Sequence, residues 1–356
     1  MRRLMRRRSP LVSARSQTIS EYVQAFPARW HVVYPAAPLD WTAPRSLGDG
    51  VIEFALPAVS SEYGVLELDG GSVYGRHGWV LGANGAVFSE LSWYAGPSSR
   101  IRVPKTPPEP VRLEGACLSL VSDWSCRNYS HFLLDGLGRL ALFLAAGFSL
   151  SEVDHVYCPT APTPQVSHYF DRLGIPAAKR VWAATGVLVE AERLFVPSLP
   201  ATALTYPDCL PPFFRGAFIP ERRGRARRRL YVSRRGYGRH ALEELEVERV
   251  LREHGFEIYE APTHADQPED FDEAEIVVGP HGAGLANLVF CRPGTRVVEI
   301  VPTDNAHAFY FSLARAAGLD YAYLVGRSMA NRPPDAFGPS PYDFDVDVEA
   351  LALAVQ

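Results

Sequence analysis

The sequence predicts an α/β protein of two doubly wound, Rossmann-like domains in tandem, facing a cleft, with a small β-rich segment on their N-terminal side. Three observations lead there. Strand and helix patterns alternate through residues 111–220 and again through 221–330, and βαβ alternation implies a parallel sheet covered by helices. The chain has 356 residues, more than one average domain, and its 47% hydrophobic share is enough for full cores. Between Val51 and Val103, short alternating runs are instead punctuated by Gly70-Gly71 and Asn84-Gly85, the chemistry of hairpins.

In chain order, residues 1–47 are basic, then rich in Pro and Trp, with no sustained period, and are expected to be a loosely structured lead-in. Residues 48–110 form the β-rich segment, closed by "PKTPPEP" (Pro104 to Pro110), which can continue neither helix nor strand. In 111–220, "CLSLVSD", "HVYCPT" and "RLFVPSL" are strands, separated by the helices "NYSHFLLDGLGRLALFLAAG" and "SHYFDRLG". The stretch "YPDCLPPFFRGAFIPERRGRARR" is a second boundary. In 221–330, strands "RLYVSRR", "FEIYEAP", "EIVVG", "TRVVEIVP" and "YAYLVG" alternate with helices. The first of these helices, "HALEELEVERVLREHG", is ended by Gly255, a short acidic one lies near Pro268–Ala274, and "LANLVFC" and "AHAFYFSLARAAG" follow. Residues 331–356 are a tail in which Asp347 is expected to cap a final helix, "VEALALAV".

A net charge of −4 conceals Arg2, Arg3, Arg6, Arg7, Arg8 and Arg15 at the start and an arginine-rich run from Arg222 to Arg239. A solvated face or linker accounts for such runs without nucleic acid. No apolar run approaches the roughly 18–20 residues of a membrane span, and no apolar stretch follows the basic start as in a signal peptide. The five cysteines are odd in number and form no C-x-x-C pair; neither a disulfide framework nor a zinc site is expected, which fits a reducing cytoplasm.

Open parallel sheets bind ligands at the carboxyl ends of their strands. In 221–330, Ser233, Arg234 and Arg235 end the first strand, Pro280, His281, Gly282, Ala283 and Gly284 end the third, and Glu299 and Thr303 bracket the end of the fourth. Gly282 and Gly284 would let the backbone approach a ligand, and the following helix start offers free N–H groups to an anion such as a diphosphate. Arg234 could clamp it bidentately. The same residues also suit a sharp strand-to-helix turn with Arg234 paired to a surface carboxylate. A dinucleotide fingerprint is only weakly supported, because "GAGLAN" follows the third strand and has Asn287 in place of the last glycine. No G-x-S-x-G elbow supports a serine hydrolase.

A second cluster lies in "DWSCRNYSHFLLDGLGRL", where a helix would set Asn128, His131 and Asp135 toward one side. His131 or Asp135 could act as a general base. The alternative is that Asn128 caps the helix and Asp135 pairs with Arg139 at i+4.

Taken together, "NYSHFLLDGLGRL", "LYVSRRGYGRHALEELEVERVLREHGFEIYE" and "EIVVGPHGAGLANLVFCRPGTRVVEIVP" resemble, in order and spacing, glycosyltransferase family 61 over roughly Val121 to Val325. The resemblance implies a GT-B-like fold and inverting transfer of a sugar from a nucleotide-sugar donor, usually a UDP-sugar, without an essential metal or other cofactor. It implies donor binding by Ser233, Arg234, His281, Gly282, Ala283, Gly284 and Asn287 and an acceptor side at Asn128, His131 and Asp135; Glu299 is a donor-side candidate from its place at the end of the fourth strand. The family's Asn-Glu-x-Glu is here Glu243, Glu244, Leu245, Glu246. Glu246, on the arc of Leu242 and Leu245, is a further donor-contacting candidate, since a merely buried charge would be costly there. The replaced Asn keeps a catalytically silent glycan- or nucleotide-binding module as the alternative. The expected acceptor is a glycan, glycolipid or glycoprotein, as in the capsular polysaccharide proteins of the family, and peripheral contact with the inner face of the plasma membrane through the N-terminal arginines is compatible with that role.

Overall fold

Runs such as "EIVVGP" and "RVVEIVP" are apolar on both faces, as strands covered on both sides must be. They fall into place in a computed structural model that describes residues 11–13, 15–92, 101–202, 205–219, 224, 226–330, 333 and 340–356. Arg2, Arg3, Arg6, Arg7, Arg8, Arg222, Arg223 and Arg225 lie outside the described residues. The chain divides into two units, each with its own large sheet; the first also holds a two-stranded antiparallel pair, Leu11–Ser13 with Arg102–Pro104.

The first unit takes the described residues up to Ala36 and then Glu62–Pro200. Its strands are β1 (Ala28–Tyr34), β2 (Tyr63–Tyr74), β3 (Trp79–Leu81), β4 (Val87–Phe88), β5 (Val111–Ser119), β6 (His155–Cys158), β7 (Arg180–Trp182) and β8 (Leu188–Pro197). With Ser16–Gln17 they make one nine-stranded sheet in the order β7-β6-β5-β8-β2-β3-β4, with β1 also paired to β2. The four strands β7, β6, β5 and β8 run parallel, in the order third-second-first-fourth of a Rossmann half. From there, β2 pairs antiparallel with β8 over Val65–Tyr74. The hairpin residues 63–88 therefore extend the parallel sheet, and part of the segment expected as a lead-in, Ala28–Tyr34, adds an edge strand to it. The alternation of this edge strand, Ala28-Arg29-Trp30-His31-Val32, covers only five residues, none of them fully buried, and does not stand out from its Pro- and Trp-rich surroundings.

After β5 the chain forms a loop and then a π-helix, His131–Leu137, which continues as α1 (Gly138–Ala145); α2 (Pro164–Arg172) follows β6 and is capped by Thr163. Gly78 fastens the hairpin to that loop. Its φ is +69° and a Cβ there would stand 2.5 Å from the Val121 carbonyl oxygen.

The second unit comprises Ala37–Ser61 and Ala201–Gln356. Its first helix, α3 (Leu210–Phe218), occupies part of the stretch expected as a boundary. Pro211 and Pro212 sit in the first helical turn, where the missing N–H has no helical partner to lose, so a proline-rich sequence can start a helix. The parallel strands are β9 (Arg228–Val232), β10 (Glu257–Tyr259), β11 (Ala274–Pro280), β12 (Arg296–Pro302) and β13 (Asp320–Ser328). They are ordered β10-β9-β11-β12-β13, the second-first-third-fourth-fifth order of doubly wound sheets; β14 (Phe344–Val346) pairs antiparallel with β13, and Arg45–Ser46 also pairs with it. The helices α4 (Glu244–Glu253), α5 (Gln267–Asp272), α6 (Phe309–Ala317) and α7 (Val348–Ala354) complete the unit. Asp347 caps α7 by accepting from Ala350 N at 2.9 Å, as expected. "LANLVFC" is a 3₁₀-helix, Ala283–Phe290, rather than an α-helix. Among the described residues, no helix is long and apolar enough to cross a membrane.

The two sheets are thus mainly parallel and consistent with two Rossmann-like domains. Gly78 and Gly75 allow a test of the hairpin clamp, because both are left-handed but nothing stands within 4 Å of a Cβ at Gly75. Gly75→Ala should cost about 1–2 kcal/mol from backbone strain alone. Gly78→Ala should cost at least about 1 kcal/mol more from the added clash. Equal losses in urea denaturation would show that the clamp is not part of the folded unit's stability.

Candidate functional site

In the second unit, the strand order reverses between β9 and β11, which makes the ends of these neighbours the place where a ligand is expected. Ser233 and Arg234 leave β9 there, and His281 and Gly282 leave β11. Gly282 is extended, with φ 177°, and neither it nor Gly284 is left-handed. Their small size serves close approach instead: a Cβ at Gly282 would lie 2.0 Å from Arg234 Nη1, and one at Gly284 would lie 2.7 Å from Val232 Cγ1.

Arg234 is held by backbone oxygens, not by a surface carboxylate. Nε donates to Gly238 O at 3.2 Å and Arg239 O at 3.1 Å, and Nη2 donates to Gly238 O at 2.6 Å. Nη1, seated on Gly282, has no protein partner among the described residues. Arg239 comes close enough to act on it electrostatically. Arg239 is buried and left-handed (φ 63°), and its Nε has no hydrogen-bond partner. Burial, and then the neighbouring Arg234 charge, bring its pKa down to about 10. Two desolvated cations side by side, one with an orphaned donor, are what an anion would relieve.

His281 Nδ1 is bonded to Glu299 Oε1 at 2.5 Å, and Tyr321 donates its hydroxyl to Glu299 Oε2 at 2.6 Å. Glu299 is fully buried, so it orients the imidazole rather than meeting a ligand itself. Burial, with Glu299 next, pushes the Tyr321 hydroxyl well above the usual phenol range. His281 Nε2 is the ring atom left for a ligand, with Tyr310 at 5.0 Å between ring centroids.

Two expected donor residues are used differently. Asn287 is buried, and its Nδ2 donates to Gln267 Oε1 at 2.8 Å and Gly284 O at 3.2 Å, which braces the loop from behind. Glu246 pairs with Arg249 at 2.6 Å on an exposed face, together with exposed Leu242 and Leu245. The buried carboxylate at the start of this helix is Glu244, which accepts from Ser233 Oγ at 2.8 Å, from Tyr231 OH at 3.1 Å and from Ala241 N at 3.3 Å. Because α4 begins at Glu244, its buried residues are Glu244, Val247, Glu248, Val250 and Leu251, and the i, i+3, i+4, i+7 spacing from Glu244 is visible in the sequence once Leu242 is left out. Glu243 is the N-cap and makes no side-chain cap bond.

The first unit brings together the other cluster. Asn128 Oδ1 accepts from Ser130 N at 2.9 Å and His131 N at 3.3 Å, capping the π-helix. His131 Nδ1 meets Asp135 Oδ2 at 2.6 Å, one turn on. Asp135 is buried, and its Oδ1 has no hydrogen-bond partner. Arg139 does not hydrogen-bond Asp135; it donates to Val121 O at 2.8 Å and Leu91 O at 2.5 Å. Burial lowers its pKa to about 9 against the opposing pull of Asp135.

Sequence reasoning missed Asp123 and His77, which lie 46 residues apart and meet at 3.2 Å through His77 Nδ1 and Asp123 Oδ1. Asp123 is buried, its Oδ2 is unpartnered, and burial raises its carboxyl pKa while His77 and then His131 oppose the rise. Among the described residues, no three His, Cys, Asp or Glu side chains are grouped as metal ligands would be.

Residues 129–298 match the family model described as Glycosyltransferase 61. The beta-1,2-xylosyltransferase XAX1 of Oryza sativa subsp. japonica is 36% identical over 120 residues, 32% of this chain and 21% of that protein. A beta-1,2-xylosyltransferase of Arabidopsis thaliana is 32% identical over 56 residues, 16% of this chain and 10% of that protein. The chain spans only about a fifth and a tenth of the lengths of these two relatives.

The raised Asp123 pKa has a consequence for stability. The native state holds that proton more tightly than the unfolded chain, so this carboxyl makes the fold less stable as pH rises from about 4 through its folded pKa. The stability of Asp123→Asn relative to wild type should therefore improve over that range in urea denaturation. Curves offset by a constant would contradict the assignment.

Proposed function

With residues 129–298 belonging to glycosyltransferase family 61 as the premise, we propose that the protein is an inverting glycosyltransferase. It moves a sugar from a nucleotide-sugar donor, a UDP-sugar first among them, to a hydroxyl of a glycan or glycoconjugate. The names of the plant relatives make a pentose, xylose, the first sugar to test. A part in capsular or other surface polysaccharide synthesis belongs to the same proposal.

The observation that carries it is the pair of neighbouring guanidiniums, half-buried Arg234 on Gly282 and buried Arg239 with its orphaned Nε, at the switch point of the second sheet. A departing nucleoside diphosphate accumulates negative charge, and fixed cations and backbone N–H groups stabilise it without rearranging. Arg234 Nη1, Arg239 and the amides that open the Ala283–Phe290 turn would take its phosphate oxygens. His281, held by Glu299 through Nδ1, would donate from Nε2 in its cationic form.

In the first unit, Asp135 fixes the His131 tautomer. With the Nδ1 proton directed at Asp135, Nε2 carries the lone pair that can take the proton of an attacking hydroxyl. His131 is then the base and Asp135 its positioning residue.

Isothermal titration with UDP tests the donor half. Arg234→Ala and Arg239→Ala should each weaken binding by about 10–100-fold, the loss of a charge-assisted hydrogen bond; wild-type affinity in both variants would refute the phosphate site. For the acceptor half, His131→Ala should lower kcat on the order of 10²–10⁴-fold with UDP affinity unchanged. Undiminished turnover would remove His131 from the chemistry.

A further inference from the structure

A pocket in the first unit opens at the carboxyl ends of β5 and β6, between the loop that precedes the π-helix and α2. Arg127, Asn128, Tyr129, Thr160, Gln165 and Tyr169 are among its lining residues. We infer that this pocket binds the acceptor, and that the acceptor is an acidic saccharide whose uronate carboxylate sits on Arg127. The inference rests on the transferase reading and names the substrate class of its acceptor side.

The lining has the two-faced character of a sugar. Tyr129 and Phe132 stand edge-on to Tyr169, with ring centroids 6.4 Å and 5.8 Å from it, and offer apolar surface to the C–H face of a pyranose. The Asn128 and Gln165 amides stand beside them. Asn128 uses Oδ1 to cap the π-helix, and its Nδ2 has no partner among the described residues, so it can donate to a ring hydroxyl. Phe132 follows His131 directly in the π-helix and lines the pocket, so the helix that carries the proposed base also contributes to the pocket.

Charge selects the kind of saccharide. Arg127 is the one charged residue lining the pocket, it is exposed, and it has no acidic partner among the described residues. It is nonetheless held in place. Its guanidinium lies 5.0 Å from the centre of the Trp124 ring, and Nη2 donates to His77 Nε2 at 3.4 Å, while His77 donates from Nδ1 to Asp123. Trp124 is left-handed, with φ 64°, a conformation unfavourable for a bulky residue. It closes the turn in which Trp124 O accepts from Arg127 N at 3.0 Å and Asn128 N at 3.1 Å. Strain of this kind persists where surrounding structure holds it and gathers at ligand sites. A guanidinium aligned in advance by Trp124 and by the His77–Asp123 pair loses little freedom on gripping a planar carboxylate with two parallel N–H bonds.

The test titrates the full chain, saturated with UDP, with neutral oligosaccharides, uronate-containing oligosaccharides of equal length, and inorganic phosphate. Wild type should bind the uronate form about tenfold more tightly than the neutral one. Arg127→Gln should lose that preference and keep its neutral-sugar affinity within about twofold, while Gln165→Ala should weaken both sugars equally. UDP affinity should be unchanged in both variants; failure of wild type to bind UDP would sink the transferase reading itself, a separate outcome. Equal binding of neutral and uronate sugars by wild type, or a preference that survives Arg127→Gln, would overturn the inference. Phosphate displacing the uronate sugar only at much higher concentration supports a carboxylate; phosphate binding more tightly than the uronate overturns that assignment in favour of a phosphorylated acceptor.

Discussion

One guanidinium resting on one bare α-carbon organises the second unit. Arg234 leaves the first strand of the sheet and Gly282 leaves the third, and a single Cβ at 282 would occupy the place of Nη1. That contact requires the two strands to be neighbours, which the reversed strand order supplies. It requires Gly238 and Arg239 to turn their carbonyls toward the guanidinium, which the left-handed Arg239 allows. It also leaves Nη1 facing the position where a phosphate would meet the amides of the following turn. Ser233, meanwhile, is drawn back to Glu244, so the loop is fixed from both sides.

Both units place carboxylates behind histidines. Glu299 stands behind His281 and Asp135 behind His131, each through Nδ1 and each buried. A buried carboxylate is tolerated only when its charge is met, and Tyr321 shares Glu299 while Arg139 acts on Asp135 electrostatically. The chemistry proposed for the two histidines differs nonetheless. Beside two arginines, His281 is suited to holding an anion; His131 shares its helix with a pocket that can hold a neutral ring and an acid group. The orphaned oxygens of Asp123 and Asp135 mark the same region as one in which polar groups are kept short of partners.

Much of the second unit is legible in the sequence because each of its strands carries its own apolar signature and lies beside strands close to it in the chain. Ser233, Arg234, His281 and Gly282 follow, since a strand end is a place that a pattern can locate. What the pattern could not show depends on distance or on small offsets. The antiparallel seam between β2 and β8 joins Val65 to Pro197, and nothing local in either run announces it. His77 meets Asp123 for the same reason unheralded. Glu244 was hidden because the expected helix opens at His240, whereas α4 begins four residues later at Glu244 and leaves Glu246 facing outward. Arg239 sits in an arginine-rich run that reads as a solvated face, and only its burial separates it from the others. Asn287 and Glu299 lie where the sequence placed them but act one layer behind the site, a distinction that depends on which way a side chain faces.

The central claim is that the close packing of Arg234 on Gly282 creates a diphosphate site. The most direct measurement is UDP affinity in Gly282→Ala, whose extended backbone suits alanine, so that only the contact with Arg234 is disturbed. The account predicts at least a tenfold loss of UDP affinity, matching one charge-assisted hydrogen bond, in a protein that still unfolds cooperatively. Unchanged affinity in that variant would contradict it.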